Sequence, residues 1–400
     1  MICGQPAVAS DWVVNPKGPL TSIHHAIEKA QNGDRIIIQS GRYAEGNIQI
    51  NKSLEIIGEN YPVVDGNHES EVFTVTADDV IIRGLVIRNS AISFVKENAA
   101  VKINSVRNCT VTDNRLENNF FGIYLSKSFD CQISNNIISA VLSRESSSGN
   151  GIHLWNCRNV DIENNIISGH RDGIYFEFVK VGHITGNTSR DNLRYGLHFM
   201  FSDSCLYENN LFQNNTAGVA VMYTKNIEMI HNRFEDNWGA ASYGILLKDI
   251  TGSVITGNYF INNTVGVYAE GSNRNRISNN TFTQNGWAIR VYANSADNTF
   301  TENDFINNAF DVSSNSRQNH NSFDHNYWSH YSGYDLNKDG IGDVPFHPVR
   351  LFSLIVEQYP PALILLRSFV IDLLDITERM IPALTPQTLI DQHPRMRGTI

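Results

Sequence analysis

Between residues 173 and 223, apolar and polar side chains alternate in three short runs, GIYFEF at 173, GLHFMF at 196 and GVAVMY at 218, each opened by a glycine. The first and third residues after the glycine are apolar every time: Ile174 and Phe176, Leu197 and Phe199, Val219 and Val221. A period of two marks a strand with one face in a core. An asparagine precedes each run by eight residues (Asn165, Asn210) or nine (Asn187). The same frame places asparagines at 114, 136, 165, 187, 210, 232, 258, 280, 303 and 326, in steps of 22, 29, 22, 23, 22, 26, 22, 23 and 23. The two long steps contain polar insertions, SRESSSGN ending at Asn150 and WGAAS after Asn237.

Short strands at one fixed spacing predict an all-β solenoid, a right-handed parallel β-helix of about 22-residue coils. Each coil would hold three strands and three turns, and each strand would pair with its copy one rung away. The handedness extends the rule for parallel crossovers. The asparagines are expected to take left-handed backbone at the corners and to stack their amides into a ladder.

The flanks differ. TSIHHAIEKAQ, residues 21–31, places Ile23, Ala26, Ile27 and Ala30 on one side of a helix that would plug the open end of the coil. Adjacent His24 and His25 point apart there and make a poor chelate. After 345, RLFSLIVEQYPPALILL and the residues that follow carry apolar positions at helical spacing, among them Leu363, Leu366, Val370, Leu373 and Leu374, with a break at Pro360 and Pro361. No apolar run of 18 residues occurs, so this tail would cap the last coil or dock on a membrane partner without spanning a bilayer. The expected organisation is a tail at 1–20, a cap with first strands at 21–60, the β-helix at 61–345 and a helical extension at 346–400.

Composition narrows the function. Charged residues are 18% and the formal net charge is −10, with no basic stripe, which excludes nucleic acid as a partner. Ala7-Val8-Ala9 followed by Ser10-Asp11 has the small-x-small form of an export cleavage site, so the chain is expected to be periplasmic, with its export signal truncated at this start. Cys109, Cys131 and Cys205 each lie five residues before a repeat asparagine, a position for small buried side chains; a Cys109–Cys131 bridge between rungs is the alternative.

The outward positions carry the candidate chemistry. Stacking in register would bring Met200 beside Met222, with His198 two residues away on the same wall. Thioether and imidazole donors suit Cu(I); the same patch could equally pack against a partner. His153 fills the corresponding place on an earlier repeat and joins the copper candidates, as do His393 and Met396 in DQHPRM. Trp155 and Tyr175, with Leu363, Leu366, Val370 and Leu374, are the candidate partner contacts. His320, His325 and His330 are five apart, a spacing that suits a shared face on neither strand nor helix. Asp335, Asn337, Asp339 and Asp343 with Gly340 follow the opening of a calcium loop, but Phe346 stands where the bidentate glutamate belongs, so a plain turn is the alternative. For an enzyme, Glu177 and Asp172 with His170 and Arg171 are the best local candidates, and no repeated pair of acids shares an outward face.

The repeats GNGIHLWN, RDGIYF, RYGLHFMF, GVAVMY and YGILL, the segment NYWSHYSGYDLNKDGIGD and the ending DQHPRM together resemble the NosD family over about residues 70–400. The resemblance implies a periplasmic β-helix, not an enzyme, that works with the ATPase and membrane subunits of an ABC transporter and a copper chaperone to assemble the copper centres of nitrous oxide reductase. Under it, His198, Met200 and Met222 would handle copper or touch a partner, and the tail helices would dock on the transporter. A polysaccharide lyase, epimerase or hydrolase, or a carbohydrate-binding β-helix, is the competing reading.

Overall fold

The computed structural model describes residues 9–93, 95–141, 144–316, 320–366, 368–381 and 389–399. Of the expected processing site, Ala7 and Val8 lie outside them. The chain divides into two compact units, Met1–Arg194 and Tyr195–Ile400. Each is a parallel β-helix in which the chain visits three sheets in turn.

In the first unit, one winding consists of Ile152–Trp155, Arg158–Glu163 and Ile166–Ser168, and the next of Asp172–Glu177, Lys180–Thr185 and Thr188–Arg190. Ile152 pairs with Ile174, Arg158 with Lys180 and Ile166 with Thr188. The preceding winding sets Ile123 opposite Ile152, so the 29-residue step is absorbed in the turn and the ladder keeps its register. A helix, α1 (Ile23–Lys29), lies against the strands Asp11–Val14, Arg35–Ile38 and Ile48–Ile50 and buries Ile23, Ala26 and Ile27. Both its ends are satisfied by side chains from the coil: Glu45 accepts the Ile23 and His24 amides at 3.0 and 3.1 Å, and Lys52 donates to the carbonyls of Ile27, Glu28 and Ala30 at 2.7–2.9 Å.

The second unit repeats the plan. Along one sheet Tyr195 pairs with Ala217, Ala217 with Tyr243, Tyr243 with Val265, Val265 with Trp287 and Trp287 with Phe310. Its core holds a column of rings, Phe212, Phe234, Phe260, Phe282, Phe305 and Trp328, whose successive centroids are 5.5, 4.9, 4.7, 5.0 and 4.1 Å apart and whose planes stay within 17° of parallel. All six are at most 1% exposed. The glycine that opens each strand is there for close approach: a Cβ at Gly218 would meet the Gly244 carbonyl at 2.6 Å.

Two adjacent residues divide the work expected of one asparagine. The ladder asparagines point inward and are buried. In the second unit each amide donates to the Oδ1 of the next rung, Asn210 to Asn232, Asn232 to Asn258, Asn258 to Asn280, Asn280 to Asn303 and Asn303 to Asn326, at 2.9–3.1 Å. The Asn114–Asn136–Asn165–Asn187 run does the same in the first. The left-handed corner is instead the residue before: Asn135, Asn164, Asn209 and Asn279 have φ of 54–56°, and Asp113, His231, Glu302 and His325 fill that place on other rungs with φ of 54–57°. Asparagine and aspartate carry the positive φ at least cost there, because their short polar side chains can bond locally.

The C-terminal extension is helical only in part. α2 (Leu351–Gln358) packs Phe352 and Val356 on Phe310, and Glu357 takes a forked bond from Arg290 at 2.8–3.0 Å. α3 (Phe369–Met380) follows. No helix among the described residues is long and apolar enough to cross a membrane. The chain then returns to the last winding. Phe323 bridges in parallel to Asp391 and Tyr327 to Arg395. Asp391, fully buried, ends the ladder: its Oδ2 accepts the Asn326 backbone N–H, the Asn326 amide and the Trp328 indole, each at 3.0 Å. Arg395 reaches buried Asp304 at 2.6 Å. DQHPRM is thus an additional rung laid over the last one.

The division of labour predicts opposite outcomes at neighbouring positions. Asn280→Ala removes the acceptor of the Asn258 backbone N–H, one of three acceptors of its side-chain amide and a donor to the Ile255 carbonyl, and should cost about 3 kcal/mol in a urea titration. Asn279→Gly, at φ 55°, should cost less than about 1 kcal/mol. Equal losses would contradict the assignment.

Candidate functional site

The wall of the second unit that carries the methionines is built from Tyr195–Met200, Ala217–Met222, Tyr243–Lys248 and Val265–Glu270. Leu197, Phe199, Val219 and Val221 are 0% exposed and face the core, so the intervening positions face out. Met200 is the register partner of Met222, Met222 of Lys248 and Lys248 of Glu270. The thioether pair is therefore two rungs wide, about 4.8 Å between backbones, and Lys248 bounds it on one side. Both methionines are half-buried. Directly beyond them Phe201 and Tyr223, each a left-handed corner, stack at 5.2 Å and stand 41% and 43% exposed. The pair thus opens onto an aromatic step.

His198 departs from the expectation of an open ligand. It lies on the outer side by alternation, in register with Ala220, yet it is 6% exposed, with its ring edge-on to Tyr195 at 4.7 Å. Tyr195 precedes a tight glycine position and is drawn over the imidazole, a neighbour that strand periodicity does not reveal.

His153 belongs to the first unit. Its ring is stacked between Tyr124 at 4.8 Å and Tyr175 at 4.6 Å, and its Nδ1 lies 3.0 Å from the Asn150 amide. Burial pushes both phenols up to about 12, which keeps them neutral. Tyr175 is thereby part of an aromatic column, and Trp155, one residue row away, carries the Lys127 ammonium 5.3 Å above its ring. Of the proposed acids, Asp172 is fully buried beside Arg171 at 3.8 Å, while Glu177 is half-buried. They do not form two carboxyls across an open groove.

The histidines near the end of the repeat separate. His330 turns to Asp311 at 3.4 Å. His325 bonds Asp324 at 2.8 Å, and His393 bonds the other oxygen of Asp324 at 2.7 Å. Burial alone would raise the Asp324 carboxyl; the His393 and His325 hydrogen bonds outweigh it and hold the carboxyl below its usual range. His393 is thus joined to Asp324 and His325, and the backbone N–H of Met396 donates to the Gly340 carbonyl at 2.9 Å. Spacing along the chain could not reveal this trio, because one member comes from the returning segment.

The loop with calcium-like spacing closes on itself. Asp335 turns its carboxylate onto the amides of Lys338, Asp339 and Gly340, Asn337 accepts the Asp339 amide, Asp339 the Ile341 amide and Asp343 the Leu336 amide. Among the described residues, only Asp324, His325 and His393 bring three ligand atoms of histidine, cysteine or carboxylate within 4.8 Å of one another. The oxygens of the 335–343 loop close its own turns, the arrangement expected of an Asp/Gly turn.

In the tail, Leu366 and Leu374 pack on the Phe310–Phe352–Val356 cluster and so join the extension to the wall. Leu363 and Val370 stay 37% and 59% exposed. Phe369, Leu373, Ile376 and Met380, at 77%, 51%, 54% and 77%, complete an apolar stripe along α3. Cys109, Cys131, Cys157 and Cys205 are buried free thiols, inward members of their stacks.

Residues 139–333 match the family described as periplasmic copper-binding protein (NosD), and residues 57–206 a family of unknown function, DUF1565. The probable ABC transporter binding protein NosD of Pseudomonas aeruginosa is 30% identical over 92% of this chain and 90% of its own length. The corresponding protein of Stutzerimonas stutzeri is 28% identical over 90% and 86%. Among solved structures, the A-module of an Azotobacter vinelandii mannuronan C-5 epimerase superposes with a TM-score of 0.59 at 13% identity, covering 72% of this chain and 90% of its own. A Yersinia enterocolitica family 28 exopolygalacturonase gives 0.60 at 11%, covering 79% and 78%. At such identities these two speak for the fold alone.

His170, 1% exposed, yields a pH prediction for the first unit. Burial, offset only in part by the Gly149 backbone, lowers its imidazole to about 4 from 6.5. The unfolded chain therefore takes up a proton near pH 6.5 that the folded chain refuses until about pH 4. Its contribution is fully present above pH 6.5 and falls by about 3 kcal/mol as the pH drops to 4. Thermal melts of His170→Leu should lose that part of the pH dependence; a profile parallel to the parent protein would contradict it.

Proposed function

The chain belongs to the NosD family, and from that premise we propose that it is a periplasmic accessory protein that presents Cu(I) during assembly of the copper centres of nitrous oxide reductase, in company with an ABC transporter and a copper chaperone. The observation that carries the copper part is the register of Met200 with Met222. Two thioethers from neighbouring rungs can turn toward one ion, because methionine has three rotatable bonds and a soft, uncharged sulfur. Neutral thioethers hold a monovalent ion without the strong grip of thiolates, which suits cargo that must be handed on. His198, two residues from Met200 along the same strand, would supply a third donor once the Tyr195 ring that covers it swings aside. The residues present therefore fit Cu(I) as cargo.

The name of the Pseudomonas aeruginosa relative as an ABC transporter binding protein supports a transporter as partner, and the stripe on α3 offers the contact. Phe369, Leu373, Ile376 and Met380 follow the i, i+4, i+7, i+11 spacing of one helix face. A stripe this exposed on a polar protein marks a docking surface, with the ATPase and membrane subunits, the chaperone and the reductase as the expected company. α1 is read as the closure of the first coil.

A carbohydrate-binding role has one observation in favour. A groove of about 1420 Å³ in the second unit is lined by Trp238, Trp287, Tyr292, Arg290, Asn262 and Asn307, a mix of flat rings and amides that suits sugar rings. Binding on a glycan array, without turnover, would favour this reading over the copper one.

In a Cu(I) competition titration against a colorimetric chelator, the variant His198→Ala, Met200→Ala, Met222→Ala should lose at least tenfold in affinity while keeping its melting temperature within a few degrees. Unchanged affinity removes the copper wall. Separately, Phe369→Asp with Leu373→Asp should abolish co-purification with the transporter subunits from periplasm-derived membranes and leave Cu(I) affinity as it was. Retained co-purification would rule out α3 as the contact.

A further inference from the structure

We propose that Asp324, His325 and His393 form a second metal site, which takes a divalent ion of the Cu2+ and Zn2+ class and fastens the C-terminal segment to the last winding. Three features carry this. The first is register: the bridges Phe323 to Asp391 and Tyr327 to Arg395 share one offset, which sets His393 opposite His325 as if on the next rung. The two imidazole centroids are 5.2 Å apart and inclined by 32°.

The second feature is the donor set. The Asp324 carboxylate lies between the rings, 2.8 Å from His325 Nδ1 and 2.7 Å from His393 Nδ1, and one ligand atom from each residue lies within 4.8 Å of the others. Metal bonds of 2.0–2.1 Å in a tetrahedron set neighbouring ligand atoms about 3.4 Å apart. An ion could therefore replace the shared protons if each contact opened by about 0.6 Å, which side-chain torsions supply. Two imidazoles and a carboxylate are borderline-to-hard donors, suited to Cu2+ or Zn2+, with Cu2+ the tighter. With no sulfur among them, they complement the thioether pair on the wall.

The third is rigidity combined with access. The segment that bears His393 is held on both sides of it, by buried Asp391 and by the Arg395–Asp304 pair, so the ring is placed before any ion arrives. Yet the Asp324, His325 and His393 side chains remain 42%, 45% and 57% exposed, which leaves an entry path and room for water as a fourth ligand. His325 occupies a left-handed corner at φ 54°, a place that asparagine takes on several other windings.

That last point supplies a variant that keeps the fold. His325→Asn removes a ligand at a corner where asparagine is at home, and His393→Gln preserves a donor to Asp324. With the full chain and Zn2+ alone, a competition titration against a fluorescent indicator should show one ion per chain, and both variants should bind at least tenfold more weakly. With Cu2+ alone, electron paramagnetic resonance should show nitrogen couplings from two imidazoles, reduced to one in either variant. Met200→Ala with Met222→Ala should leave both signals untouched. Zn2+ affinity unchanged in both variants, or a Cu2+ spectrum without imidazole coupling, would overturn the site and leave the trio as a hydrogen-bonded clasp.

Discussion

The inward asparagine amide is the constraint on which the rest of this structure depends. A single Oδ1 accepts both the backbone N–H and the side-chain amide of the asparagine one rung before it, and the same side chain donates to a carbonyl of the core. The amide is planar and carries donor and acceptor a fixed distance apart, so the bond repeats only if every winding keeps the same position over the last. A slip of one residue would leave several buried polar groups without partners at each rung. Extra residues are therefore expelled into turns, and the pairing of Ile123 with Ile152 and of Ala217 with Tyr243 shows ladders continuing across the long steps.

Strict register turns sequence into surface columns. Residues on successive rungs become neighbours on a wall as firmly as i and i+4 are on a helix, which is why Met200 and Met222, and next to them Phe201 and Tyr223, can act as units. The same logic closes the second unit. Asp391 supplies a carboxylate oxygen where a further asparagine would stand, and the chain end is laid down as an additional rung. Fold closure and the candidate divalent site thus share one segment.

Much of this was legible in the sequence. The glycine and asparagine offsets revealed the coil, and alternation gave the inward faces of the strands. The asparagines hold two roles that sequence alone does not separate, because Asn135-Asn136, Asn164-Asn165 and Asn279-Asn280 look alike as letters; the left-handed corner falls on the first and the inward amide on the second. His198 alternates with inward Leu197 and Phe199, but its cover by Tyr195 depends on ring packing that no periodicity encodes. In the loop from Asp335 to Asp343 the side-chain oxygens accept amides of their own backbone, a pairing that spacing alone does not reveal. The trio at Asp324 was hidden because its third member returns from a segment 68 residues away, a contact made by closure of the fold and not by its repeat.

The claim that register, through Met200 and Met222, makes the copper-handling surface can be tested at the atoms concerned. The protein labelled with selenomethionine and loaded with one equivalent of Cu(I) should give an X-ray absorption spectrum with two selenium scatterers bound to copper. Copper surrounded by nitrogen or oxygen alone, without selenium, would contradict the account.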